Sequence, residues 1–271
     1  MTPPLISDEE FTSTPLKEAA ADYFLVVDAR LSPLIKRINS FTVQPGSELA
    51  EDDDASRTDA VSHQARGLMS VAADNADALS TLMIKASVLP AFAGYTLLRN
   101  AIECAGIALW LIGPADSDTR VLRAIQLSHE SLKDHRKLEA ARVGKKLMGV
   151  DPTDPTLKKL VAERDKRPAN VGLKLAPPTL TARLEAVEQY VTQHAPTQEA
   201  LIVYWQRGSG LAHGRRHAVW QVSDARVKGS DHAGFQVVMT GDIVELTAHF
   251  EAAVNYLEDA VDLFEARGTL Q

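Results

Sequence analysis

Between Pro90 and Ile112 almost every side chain is apolar, and the four that are not, Thr96, Arg99, Asn100 and Glu103, recur at steps of three, one and three residues. That spacing draws a single polar stripe along an otherwise apolar helix. Pro90 suits a first helical turn, and Gly113-Pro114 ends the segment. The run is long enough to cross a bilayer, but charge near the middle of a membrane is costly. It is expected instead to be a core helix enclosed by protein, in a soluble, cytoplasmic chain with no membrane partner. Its stripe should then turn into the interior or into a cleft. Arginine and glutamate are costly to bury unless paired and hydrogen-bonded, and arginine preceding glutamate is the weaker order for a helix pair. A third partner for each charge is therefore expected. Either an Arg99–Glu103 pair fixes helix packing, or the stripe lines a polar site.

The remaining periodicity is also helical. Leu16 to Ile38 repeats apolar residues at helical spacing, with Pro33 expected to kink or divide it. Further helices are expected over Thr58–Ser87, Asp116–Met148, a short piece near Thr156–Arg164, Thr179–His194, from Pro196-Thr197 through Trp205, and Asp242–Ala266. Residues 42–57, with a Pro-Gly turn signal and the acidic run Glu51-Asp52-Asp53-Asp54, read as a mobile loop. Two short alternating runs, Ala218–Val222 and Phe235–Thr240, predict a small β-hairpin near 218–240. The expected fold is thus mainly all-α: a multi-helix bundle with one minor β element. Residues 1–60 are expected to form an N-terminal helix and acidic loop, and residues 61–271 a single helical domain.

A single cysteine, Cys104, excludes an internal disulfide and a cysteine-built metal site, and its apolar surroundings suggest a buried thiol. The opening MTPPLISDEE lacks a basic stretch followed by an apolar run, so no secretory signal is expected. The net charge of -7 argues against a general nucleic-acid coat protein. Its distribution is uneven, however. Across residues 120–175, fourteen lysines and arginines face seven acidic residues. Such a run is either a solvated helix face or a surface that attracts phosphates.

No phosphate-cradling glycine loop, nucleophile elbow or paired Glu-x-x-His motif occurs. His213 and His217 stand four apart, but Gly214 replaces the glutamate that a zinc-protease helix needs after its first histidine, and no metal or other cofactor is expected. The segment Tyr204 to His217 is dense in polar and aromatic groups, and Gly208, Gly210 and Gly214 are poor helix residues that suggest loosened backbone or close approach. Arginine and histidine are what phosphodiester cleavage requires without a metal. Histidine exchanges protons near neutrality and can take one from a ribose 2′-hydroxyl, while the guanidinium fork holds phosphate oxygens. The product would be a 2′,3′-cyclic phosphate, which DNA cannot form.

Arg207-x5-His213 resembles the Arg-x(4–6)-His signature of the HEPN superfamily, helical proteins that include toxin and phage-defence ribonucleases. Arg99, Glu103 and Trp110-Leu111, followed by Tyr204, Ser209 and His213, also resemble the order and spacing in abortive-infection-like bacterial families. The likeness spans about residues 90–215. It implies a metal-independent endoribonuclease with catalytic Arg207 and His213, supported by Arg99, Glu103, Tyr204, Ser209 and Arg123. It further implies RNA as substrate, a homodimer, and a protein partner such as an antitoxin or a phage or host factor. Gly208 departs from the Asn, Asp or His usual after the arginine in active members. The alternative is a non-catalytic HEPN-like interaction or nucleotide-binding module in a defence, phage or toxin–antitoxin setting.

Overall fold

The structure, a computed structural model, describes residues 15–147, 149–192, 198–221, 223–232 and 234–270. The expected helix limits at Met148, His194 and Pro196-Thr197, and the strand end at Val222, lie outside them. The described chain is mainly helical: α1 (Pro15–Ser40), α2 (Glu48–Ala55), α3 (Val61–Ser80), α4 (Ala93–Ile112), α5 (Ser117–Arg142), α6 (Pro155–Asp165), α7 (Leu180–Glu185), α8 (Leu201–Ala212), α9 (Arg216–Gln221) and α10 (Ile243–Gly268). A π-helical turn, Thr81–Lys85, follows α3. The strands β1 (Ser223–Asp231) and β2 (Gly234–Gly241) pair antiparallel, with a register shift between Val227 and Gly229. The hairpin is present, but residues 218–221 lie in α9, and the first strand is Ser223–Asp231, from the stretch expected to be the loop: short alternation could not distinguish one helical turn from extended chain.

The chain forms two compact units, each from three stretches. The first takes residues 1–37, 70–105 and 192–258; the second takes 38–69, 106–191 and 259–271. A division at residue 60 is not the one the fold makes, and the boundaries fall inside α1, α3, α4 and α10.

In the first unit, α1 is not divided at Pro33. Proline inside a helix costs about 3 kcal/mol, yet Phe24, Val27, Leu31 and Leu34 are all buried. At about 1.5–3 kcal/mol for each such side chain, burial outweighs one proline. Phe24 stacks on Phe250 of α10 at 4.4 Å. Among the described residues one helix, Ala93–Ile112, is long and apolar enough to span a membrane, and 72% of its most apolar 18-residue window is buried inside the protein.

The second unit overturns the mobile acidic loop. Residues 48–55 are helical, and the Ser47 hydroxyl accepts from the Ala50 amide at the N-terminus of α2. Asp52 is 0% exposed and pairs with Arg120, which is 1% exposed. Asp53 accepts from the amide and hydroxyl of Ser62, closing the first turn of α3. Charge alone suggested solvation; opposite charge supplied from α5 reversed it. Around α5, Val121, Ile125, Leu132 and Leu160 form the local core.

Candidate functional site

The three glycines of the Tyr204–His217 segment have separate physical causes. At Gly208 a Cβ would come within 2.8 Å of the Arg99 Cβ and 3.2 Å of the Tyr95 carbonyl oxygen, so only glycine lets α8 lie this close to α4. The unusual residue after Arg207 is therefore a packing requirement. At Gly210 a Cβ would meet the Ala218 Cβ at 2.7 Å, with His217 Nε2 4.0 Å away. Gly214 adopts φ +61, and the amides of Gly214 and Arg215 donate to the carbonyls of Leu211 and Gly210, which ends α8. The helix therefore stops between His213 and His217, and their four-residue spacing is not a helical one.

The close approach joins the α4 stripe to α8. Arg99 pairs with Glu103 at 2.8 Å, and the Trp205 indole Nε1 donates to the same glutamate oxygen at 2.7 Å. The Arg99 guanidinium lies 5.3 Å from the Trp205 ring centroid, a cation–π contact. Trp205 is thus a third partner for both charges. Arg99 Nε is buried with no hydrogen-bond partner among the described residues. Thr96, further along the stripe, is exposed.

Arg207 faces the other way. Its guanidinium pairs with Glu199 at 3.1 Å and Glu245 at 3.3 Å, and the side chain is 24% exposed. Behind it lies His249, 1% exposed, set edge-on between the rings of Tyr95 and Tyr204. His249 Nδ1 bonds the Glu245 carbonyl oxygen at 2.8 Å, which makes Nδ1 the protonated nitrogen. Nε2 is buried without a partner among the described residues. Burial, with help from the positive Arg207, pushes the imidazole down to about 4, so it is neutral at ordinary pH. Burial likewise raises the Glu245 carboxyl, against the pull of Arg207. The Tyr204 oxygen accepts from the Glu199 amide at 3.4 Å.

An α-helix turns about 100° per residue, so Trp205 and Arg207 flank opposite edges of the buried face of α8. Arg99, Glu103 and Trp205 gather on one flank; Arg207, Glu199, Glu245 and His249 gather on the other. His213 caps the end of α8 and is exposed. Neither Arg207 nor His213 lines the cleft beside Trp205. Arg123 belongs to the second unit, where it donates to the Trp110 carbonyl and lies 4.7 Å from that indole's centroid.

What does form, beside Trp205, is a cleft of about 350 Å3 lined by Trp205, Gln206, Ser209, Gly210, Arg215 and His217. It combines a half-buried indole held in orientation by Glu103, a hydroxyl, a guanidinium and an imidazole. No protein-family model, curated protein or solved structure matches this chain. The cleft must be read from its own chemistry.

Sequence reasoning gave no role to Gln206, Arg215 or His249. His249 sits three residues after Leu246 and four before Ala253, on the apolar stripe of α10, and a histidine in that position is the signal that could have found it. Cys104 is buried as expected; burial pushes its thiol up to about 11, which leaves it unreactive as a thiolate. Among the described residues no group of three or more His, Cys, Asp or Glu is arranged to hold a metal ion.

Proposed function

We propose that this chain is an HEPN-like module that engages RNA through the cleft at the end of α8, and that the chemistry available there is metal-independent phosphodiester cleavage. The observation that carries the reading is that one cleft holds an oriented indole, a guanidinium and an imidazole. Trp205 offers a face for an unstacked base. Arg215 holds the phosphate oxygens as negative charge builds on phosphorus. His217 takes the 2′-hydroxyl proton; the 2′-oxygen bonds to phosphorus, and the 5′-oxygen leaves and is protonated, giving a 2′,3′-cyclic phosphate and a 5′-hydroxyl. Ser209 is placed to hydrogen-bond the phosphate or ribose. In this reading the base is His217 rather than His213, and Arg207 is a structural charge.

A second reading, a non-catalytic HEPN-like module that binds a nucleotide or a protein partner, draws support from Arg207. Two carboxylates already occupy its guanidinium, so a phosphate would have to displace them. Labelled single-stranded RNA incubated with the protein in EDTA separates the two. Cleavage that leaves cyclic phosphate ends and is lost in His217→Ala but kept in His213→Ala supports the nuclease. Binding that needs Trp205 and Arg215, without cleavage, supports the second reading. RNA binding indifferent to Trp205→Ala and Arg215→Ala removes the cleft from both.

A further inference from the structure

The fourteen cations of residues 120–175 divide by residue type. Arg120, Arg136, Arg164 and Arg167 are all spent on carboxylates, pairing with Asp52, Asp154, Asp165 and Asp118. Most of the lysines are not. Lys145, Lys146, Lys158, Lys159, Lys166 and Lys174 are exposed, and none forms an ion pair among the described residues.

Lys158 and Lys159 lie on α6, and Lys166 caps its C-terminal end. Leu160 and Glu163 mark the side of this helix that is buried. Lys158 lies opposite, and helical geometry sets Lys159 and Lys166 within about 100° of it. Ala162 stands between them and adds no bulk. Asp165 shares this face, but its carboxylate is gripped by Arg164 Nε and Nη2 at 2.7 and 3.0 Å. Asp151, which also lies in the field of Lys158, accepts from the amide and hydroxyl of Thr153.

We infer that the outer face of α6, with Lys158, Lys159 and Lys166, is a sequence-independent landing surface for the phosphodiester backbone of RNA. Lysine ammonium groups are strongly hydrated point charges on flexible stems, suited to tracking phosphates without reading bases. Arg120, Arg136, Arg164 and Arg167, whose planar forks suit fixed bidentate partners, hold the second unit together instead. The inference rests on the proposed RNA function only for the class of ligand, and it concerns residues remote in sequence from the cleft.

The test measures association with a polyuridine oligonucleotide over a range of salt, for the full chain and for the triple variant Lys158→Ala/Lys159→Ala/Lys166→Ala. Each phosphate of a single strand that is no longer neutralised lowers the slope of log K against log salt by about 0.7, so the triple variant is expected to flatten it by about two. The triple arginine variant at the same positions should restore the slope, and oligothymidine of equal length should show the same lysine dependence. Trp205→Ala should weaken RNA binding without changing the slope. A flattened slope with no Trp205 effect keeps the lysine face and sinks the cleft. A Trp205 effect with the slope unchanged in the triple variant does the reverse. The inference is also overturned if the lysines govern binding to phosphatidylserine vesicles and leave both oligonucleotides unaffected.

Discussion

Asp52, from the most acidic stretch of the chain, and Arg120, from its most basic, neutralise each other in the interior of the second unit. Ser117 donates to the same aspartate, and Arg120 also donates to the carbonyls of Pro114 and Ala115. Removing Asp52 leaves the buried Arg120 with only the more exposed Glu48 carboxylate, at 3.1 Å, as counter-charge. Asp52→Ala is therefore expected to destabilise the protein by about 3–5 kcal/mol, read as a lower urea midpoint. Asp54→Ala, on the exposed neighbour, should change it by less than about 0.5 kcal/mol. Equal effects from the two would contradict the buried pair.

Gly208 tests the contact between α4 and α8. A methyl group there meets a Cβ and a backbone carbonyl, neither of which is the loose end of a side chain. Gly208→Ala should cost about 1–3 kcal/mol despite the better helix propensity of alanine. In Gly67→Ala, where the added atom meets nothing within 4 Å, propensity alone should act, stabilising by up to about 1 kcal/mol. Thermal unfolding of the two variants side by side gives the answer.

His249 makes stability depend on pH. Its folded-state value is depressed, so the unfolded chain binds the proton more readily between about 4 and the ordinary histidine value of 6.5. Stability therefore rises with pH across that window, and acidification from 6.5 towards 4 should remove about 3 kcal/mol. Glu245, with its raised carboxyl, works in the opposite direction as pH falls, and Arg207 stays charged throughout. In His249→Gln, which keeps an N–H donor, the loss between pH 6.5 and 5 should be visibly smaller than in the wild type. Identical denaturation midpoints at both pH values in the wild type would rule out the buried neutral imidazole.

Trp205→Phe keeps an aromatic face but removes the donor to Glu103. Hydrogen bonds to a charged acceptor contribute about 1.5–3 kcal/mol, so a stability loss of that order is expected, with RNA affinity largely retained. Trp205→Ala should lose both. Should the phenylalanine variant be as stable as the wild type, the indole–glutamate bond is not formed.

Much of the fold could be read from periodicity, because α1, α3, α4, α5 and α10 each bury a stripe whose spacing is visible in one stretch of chain. The misreadings share a cause. Asp52 looked solvated because its partner lies 68 residues away, and Pro33 looked disruptive because the burial that outweighs it is contributed by other helices. The candidate site was legible in part. The polar stripe of α4 and the glycine-rich stretch of α8 do meet, at Glu103–Trp205 and Arg99–Gly208. Their mutual rotation, which turns Arg207 away to Glu199 and Glu245, depends on which faces pack, and no spacing within α8 encodes that. His249 went unnoticed because it hides among the apolar residues of its stripe.

Each of the two compact units is woven from three separate stretches of polypeptide, and the borders lie within α1, α3, α4 and α10. No single cut releases either one intact. Proteolytic dissection or shuffling as a cassette would sever helices mid-length, so whatever the two units do, they must be inherited, expressed and lost together.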